Sequence, residues 1–205
     1  MPEPLLNNYN INTIIFDLSE VLIAGLVGAE MNLAVRLNRE EDTILPALAF
    51  NLQELCRGEI TEEDYLTAVI EKNKWNIKPD ELKAVIRGNF HIKVEGMEEL
   101  LAYLNGKYKL ILLSDHAREW VEYILSVHPF LNLFDLRFFS FALRQTKKEP
   151  STFTMVLKQI NRAPEECLFI DDNPANVQNA LTAGIRGIVF TSAVELKDEL
   201  NRLGK

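Results

Sequence analysis

Acidic side chains follow two short apolar segments that are far apart in the sequence. Asp17 comes directly after the run 13–16, and the pair Asp171 and Asp172 comes directly after the run 167–170. Runs of this kind predict buried strands, and open α/β sheets place their chemistry where such strands end. An aspartate in this position can act as a nucleophile without first being deprotonated at neutral pH. The second pair adds the hard oxygen ligands that Mg²⁺ prefers.

A serine and a lysine lie between these carboxylates in the sequence. Ser114 follows the apolar run 109–113, and Lys147 lies in a polar stretch further along. We expect Asp115 and His116, which follow the serine directly, to form an exposed turn. A carboxylate nucleophile, a small hydroxyl, a lysine and a second carboxylate pair together indicate phosphoryl transfer, where catalysis is mostly positioning and charge stabilisation.

The elements that must position these residues are predicted from the spacing of the apolar side chains. Residues 12–17 are predicted to form a buried strand, and residues 23–91 show only helical periodicity. After that insertion strands and helices alternate, which is typical of a parallel sheet with helices on both faces. The further predicted strands are 108–114, 138–140, 168–171 and 187–190. We therefore predict an α/β core domain formed by residues 1–22 and 92–205, and an all-helical cap domain formed by residues 23–91.

Local signals predict where the helices of the insertion begin and end. Thr61 is a predicted N-cap, followed by acidic residues in the first turn. Pro79 is predicted to begin the last helix of the insertion and Gly88 to end it. Met31 is predicted to lie on the buried face of the first helix, together with Leu33.

Composition excludes several classes of protein. The chain has 205 residues, of which 47% are hydrophobic and 25% charged, as in an ordinary globular domain. Its net charge of −8 argues against a nucleic-acid-binding surface. No apolar stretch approaches the roughly 20 residues that span a bilayer, and the first residues lack the pattern of a signal peptide. Two cysteines form neither a disulfide framework nor a metal-ligand spacing. We expect a cytoplasmic protein without a membrane partner; the sequence does not indicate its oligomeric state.

The segments around Asp17, Ser114, Lys147 and Asp171 resemble the four motifs of the haloacid dehalogenase-like (HAD) superfamily. The most specific of them is the run 171–177, followed by Ala180 and Gly184, which resembles the fourth motif along most of its length. The resemblance implies a Rossmannoid parallel-sheet core, and its closest branch is that of phosphatases with a small helical cap inserted after the first motif. When the segment is aligned with the family's third motif, Lys147 takes the position of the motif's lysine and Lys148 that of the proline that usually follows it.

The resemblance also implies a role for each candidate residue. Asp17 would attack phosphorus and form an aspartyl-phosphate, which water then hydrolyses, while Lys147 would neutralise and orient aspartate and phosphate. Ser114 is expected to hold a phosphoryl oxygen, and Asp115 is a further candidate substrate contact.

A Mg²⁺ site is implied by the same resemblance. Its expected ligands are the carboxylates of Asp17 and Asp172 and the backbone carbonyl of Ser19. Asp171 is expected to shape the loop or support a ligand, although the two adjacent aspartates could exchange roles. A cap that closes over the site implies a small phosphorylated metabolite as substrate, such as a sugar phosphate.

One position departs from the phosphatase pattern. Most phosphatases of the family carry a second aspartate two residues after the nucleophile, which protonates the leaving oxygen and later activates water, and here that position is Ser19. A serine hydroxyl has no useful acidity near pH 7, and a general acid contributes roughly 10²–10⁴-fold in rate. The adjacent Glu20 is a candidate substitute.

Three interpretations follow from this departure. The first, which we favour, is a Mg²⁺-dependent phosphatase, because the resemblance includes sugar-phosphate phosphatases with a small residue at the position of Ser19. The second is a catalytically degenerate member that binds phosphate ligands or partners and has a regulatory role. The third is a metal-independent haloacid dehalogenase, against which the pair Asp171 and Asp172 counts.

Overall fold

A five-stranded parallel sheet forms the centre of the computed structural model, which describes residues 10–203. The strands are β1 (Thr13–Phe16), β2 (Lys109–Ser114), β3 (Leu136–Phe139), β4 (Cys167–Asp171) and β5 (Arg186–Val189). Their order is β3-β2-β1-β4-β5, and all four neighbouring pairs are parallel. The predicted α/β class is confirmed. The predicted ends of the strands differ from the observed ends by two residues at most.

Helices pack on both faces of the sheet, and further helices form the predicted cap. They are α1 (Ala29–Leu37), α2 (Ile44–Leu48), α3 (Leu52–Cys56), α4 (Glu62–Asn73), α5 (Pro79–Asn89), α6 (Met97–Leu104), α7 (Arg118–Val127), α8 (Ser140–Leu143), α9 (Pro150–Ile160), α10 (Pro174–Thr182) and α11 (Ala193–Leu203). The residues of β1 are fully buried and alternate between two apolar clusters, Ile14 and Phe16 in one and Ile15 in the other. A strand buried on both faces needs a continuous apolar run, which is the signal that predicted β1.

The helices α1 to α5 fall within the predicted cap. Thr61 caps α4 as predicted: its hydroxyl accepts from Asp64 N, and the Asp64 carboxylate accepts from Thr61 N. Pro79 begins α5, but this helix continues through Gly88 to Asn89, so the predicted end was wrong by one residue. The division of the chain at residues 22/23 and 91/92 stays a prediction, since one apolar cluster contains residues of both parts.

The predicted burial of Met31 was wrong. The side chain of Met31 is 58% exposed, whereas Ala29 and Leu33 are fully buried. Residues four apart share one helix face, and Met31 lies about half a turn away from that face. The face of α1 that packs inward therefore carries Ala29 and Leu33, and Met31 lies outside it.

The carboxyl edge of the sheet brings the candidate residues together. Phe16 lies in register with Leu112 of β2 and Ile170 of β4, so Asp17 lies level with the last residue of β4 and within one residue of the end of β2. Asp17 N donates to Ile170 O over 2.9 Å, which continues the pairing by one residue. Within residues 10–203 no helix is both long enough and apolar enough to cross a bilayer.

Candidate active site

The ammonium of Lys147 lies between two aspartates at this edge. Its Nζ is 2.6 Å from Asp17 Oδ1 and 2.7 Å from Asp171 Oδ2. All three side chains are buried, with Lys147 only 2% exposed. Burial alone would lower the pKa of Lys147, but the carboxylates of Asp17 and Asp171 raise it, so the ammonium stays charged. Lys148, the residue next in sequence, is exposed.

Hydrogen bonds hold Asp171 in place on the side of β4. Its Oδ1 accepts from Asn173 N over 2.8 Å, and the Asn176 amide lies 3.1 Å from both carboxylate oxygens. Asn179 fixes the other partner of the ion pair, because its amide donates to Lys147 O over 3.0 Å. Asn176 and Asn179 lie one turn apart on α10, so this helix orients both ends of the ion pair. Asn176 lies within the predicted fourth motif, but no contact was predicted for either asparagine.

The three aspartates form a cluster that fits a divalent cation. One carboxylate oxygen each of Asp17, Asp171 and Asp172 lies within 4.8 Å of the others. Three carboxylates and one ammonium leave two negative charges, and oxygen-only ligands suit Mg²⁺. Burial and the charge of Asp171 raise the pKa of Asp172, and burial raises that of Asp17 against the opposing charge of Lys147. A bound divalent cation would neutralise this excess and keep the carboxylates ionised.

His116 connects the two serines of the site. Its Nδ1 lies 2.7 Å from Ser114 Oγ, and its Nε2 lies 3.1 Å from Ser19 Oγ. Burial, and secondarily the charge of Lys147, lowers the pKa of His116 to about 3, so the imidazole is neutral at physiological pH. Its ring packs edge-on against those of Phe90 and Trp120. No periodicity around Ser114 signals this burial.

The expected exposed turn after β2 was wrong. His116 is 4% exposed, and Asp115 is half-buried. Both oxygens of Asp115 lie within 3.2 Å of Lys147 N, which donates to them. The chain turns inward here because Ser140 Oγ accepts from His116 N over 3.1 Å. Asp115 therefore holds the loop that carries Lys147, while its candidate role as a substrate contact stays a prediction.

Glu20 stabilises the turn after β1. Its Oε1 accepts from Gly25 N over 2.7 Å, and its backbone has a φ of 59°. Gly25 packs so closely that an added Cβ would lie 2.6 Å from Ser19 Oγ and 2.8 Å from Glu20 Oε1. The carboxylate that sequence analysis offered as a substitute proton donor is thus engaged by the backbone next to Ser19.

Contacts from the predicted cap reach the loop that carries Lys147. Arg57, just after α3, pairs with Glu149 over 2.5 Å, and Glu149 also accepts from Thr146 N over 2.7 Å. Arg144 donates to Gly58 O over 2.7 Å. The segment after α3 therefore lies directly against this loop and helps to enclose the candidate site.

Comparison with known proteins identifies the class to which this site belongs. The sequence model of haloacid dehalogenase-like hydrolases matches residues 11–184. That range contains every candidate residue of the site and 174 of the 205 residues of the chain. The chain therefore belongs to the haloacid dehalogenase-like hydrolases.

The relatives and solved structures are similar at low identity. The chain is 24% identical over 152 residues to a drimenol cyclase of Aspergillus calidoustus, covering 72% of this chain and 29% of that protein. It is 28% identical over 123 residues to the chloroplast flavin mononucleotide hydrolase 1 of Arabidopsis thaliana, covering 60% and 50% respectively. The chain thus spans half the length of these curated relatives or less.

A solved structure shows the same fold over nearly its whole length. It is a HAD-family enzyme of Bacteroides thetaiotaomicron in complex with magnesium and inorganic phosphate. The TM-score is 0.73 at 20% identity, covering 89% of this chain and 95% of that chain.

Proposed function

We propose that this protein is a Mg²⁺-dependent phosphatase of small phosphorylated metabolites, such as sugar phosphates, that works through an aspartyl-phosphate at Asp17. The observation that carries this proposal is the buried ammonium of Lys147, 2.6 Å from Asp17 and 2.7 Å from Asp171, beside the carboxylate of Asp172. This arrangement joins a carboxylate nucleophile to a fixed positive charge and an oxygen-only cation site, as phosphoryl transfer requires.

Asp17 is prepared for attack by its neighbours. Its Oδ1 accepts from Leu18 N over 2.6 Å and contacts the Lys147 ammonium, which leaves Oδ2 for phosphorus. In the first step a bond forms from Oδ2 to phosphorus, and the ester P–O bond breaks with its electron pair on the leaving oxygen. Water then cleaves the aspartyl-phosphate, which restores Asp17 and releases phosphate.

The remaining residues hold the transferring group. Lys147 would neutralise charge on the phosphoryl oxygens, and Ser114, at the end of β2, would hold one of these oxygens. A Mg²⁺ ion held by Asp17, Asp172 and the carbonyl of Ser19 would supply further positive charge when bound.

A small substrate suits the enclosure of the site. Asp17 is 6% exposed, and the segment after α3 packs against the loop that carries Lys147. An enclosed site excludes bulk water and large substrates. The similarity to a flavin mononucleotide hydrolase supports a phosphate ester as the substrate class.

The test of this proposal is phosphate release from p-nitrophenyl phosphate and a panel of sugar phosphates, with Mg²⁺ and with EDTA. We expect turnover that needs Mg²⁺ and is lost in Asp17→Asn, because the amide keeps the shape of the carboxylate but is no nucleophile. Asp198→Asn, on α11 and away from the site, is the matched control and should retain the wild-type rate.

Folded wild-type protein that releases no phosphate would contradict the proposal. Binding of inorganic phosphate with Mg²⁺ would then favour the degenerate binding member, which the serine at position 19 makes the second candidate. Metal-independent chloride release from 2-haloacids would instead favour a dehalogenase.

A further inference from the structure

His116 lies between two serines that are far apart in sequence. Ser19 follows β1, whereas Ser114 ends β2, and each hydroxyl contacts a different nitrogen of the ring, at 3.1 Å and 2.7 Å. The rings of Phe90 and Trp120, with centroids 6.0 Å and 6.1 Å away, limit the movement of the imidazole. The histidine is therefore a fixed connection between the two hydroxyls.

A neutral imidazole carries one donor and one acceptor. When Nδ1 carries the proton, it donates to Ser114 and Nε2 accepts the hydroxyl proton of Ser19, so only Ser114 has a proton to offer elsewhere. When Nε2 carries the proton, the roles reverse and only Ser19 has one to offer. Because of the ring, only one of the two hydroxyls at a time can donate its proton to a group other than His116.

We propose that His116 is a positioning residue that couples Ser19 to Ser114, so that one hydroxyl at a time presents its proton to a bound phosphate ester. This inference rests on the proposed phosphatase function. It supplies a route for a proton to the leaving oxygen in a chain that has serine, not aspartate, two residues after Asp17.

The route conserves charge on every side chain. The hydroxyl of a monoanionic phosphate ester gives its proton to Ser114 Oγ, and the proton of Ser114 moves to His116 Nδ1. In the same concerted step the proton on Nε2 moves to Ser19 Oγ, and the original Ser19 proton goes to the leaving oxygen as its bond to phosphorus breaks. Each side chain gives one proton and gains one, while Asp17 takes the phosphoryl group and the electron pair leaves with the alcohol.

Leaving-group dependence separates this role from a structural one. His116→Phe retains an aromatic ring for packing on Phe90 and Trp120 but removes both nitrogens. We expect its kcat/KM to fall at least about 10-fold further for a sugar phosphate than for p-nitrophenyl phosphate, because only the alkyl leaving group needs the proton. Ser19→Ala should show the same pattern, and the double variant should show no further selective loss.

His91→Phe is the control, because it makes the same change at an exposed imidazole that contacts Tyr123 and neither serine. It should leave kcat/KM unchanged for both substrates. Equal losses for both substrates in His116→Phe, or additive selective losses in the double variant, would overturn the proposal.

A second measurement needs no turnover. In protein labelled with ¹⁵N-histidine the chain has three imidazoles, and His116→Phe identifies the relevant signals. Ser114→Ala should change the ¹⁵N shift of the remote nitrogen, Nε2, because loss of the Nδ1 partner redistributes the ring proton. An unchanged Nε2 signal would refute the coupling even in an active enzyme. A changed signal without hydrolysis of any ester would refute the phosphatase function and retain the coupling.

Discussion

At the scale of single residues, the buried ammonium of Lys147 controls the electrostatics of the candidate site. It contacts Asp17 and Asp171 at once, and its backbone N donates to Asp115. Its neighbour Lys148 is exposed. Alignment with the third motif distinguished Lys147 from Lys148 in the sequence. Residue type could not, because both are lysines and lie next to each other.

Replacing this lysine should destabilise the protein. Lys147→Met leaves two buried carboxylates without their cation, which costs about 3–5 kcal/mol in the free energy of unfolding. Urea unfolding measures this loss, which should be smaller with Mg²⁺ than with EDTA because a bound cation takes over part of the neutralisation. Lys148→Met is the matched control and should change stability by under about 0.5 kcal/mol. Equal stability of the two variants would contradict the assignment.

At the scale of elements, the turn between β1 and α1 places Ser19 Oγ 3.1 Å from His116 Nε2. The turn is held by Glu20, whose carboxylate accepts from Gly25 N, and by the close approach of Gly25 to the serine side chain. The apolar run of β1 predicted where this turn begins. Its shape was not predictable, because it depends on a side chain-to-backbone contact across five residues and on a glycine with no distinctive spacing.

A methyl group at Gly25 should disturb this turn. In Gly25→Ala the added Cβ would lie 2.8 Å from Ser19 Cβ, so the serine must shift. We expect about 1–3 kcal/mol of destabilisation, together with a reduced kcat/KM for sugar phosphates, measured by urea unfolding and phosphate release.

Gly88→Ala provides the matched control for that substitution. Gly88 lies within α5, and an added Cβ there meets nothing within 4 Å. This change should stabilise the protein by about 0.5–1 kcal/mol, since alanine is the better helix former, and leave turnover unchanged. Wild-type stability and turnover in Gly25→Ala would show that the turn does not constrain Ser19.

At the scale of the whole molecule, the predicted cap and core share one buried interior. Glu62 of α4 is 3% exposed, pairs with Arg87 over 2.7 Å and accepts from Trp120 Nε1 over 2.9 Å. Trp120 belongs to α7 of the predicted core and also packs against Tyr65. Polar and apolar contacts therefore join the two parts beside the candidate site.

This continuity predicts a single unfolding transition. The chain contains two tryptophans, Trp75 in the predicted cap and Trp120 on α7. Trp75→Phe and Trp120→Phe each leave one fluorophore, and in each variant the urea midpoint from fluorescence should coincide with that from circular dichroism. Separate midpoints for the two probes in the variant that retains Trp75 would show that the cap unfolds independently.

The sequence by itself determined the strands, the helical insertion and the edge of the sheet at which Asp17, Ser114 and Asp171 meet. These features follow from local apolar periodicity and from the rule that parallel strands end at one edge. The contact of His116 with Ser19 and that of Trp120 with Glu62 were decided only by the tertiary structure. Both join segments more than 50 residues apart, and such contacts depend on how the helices pack over the sheet, which local pattern does not specify.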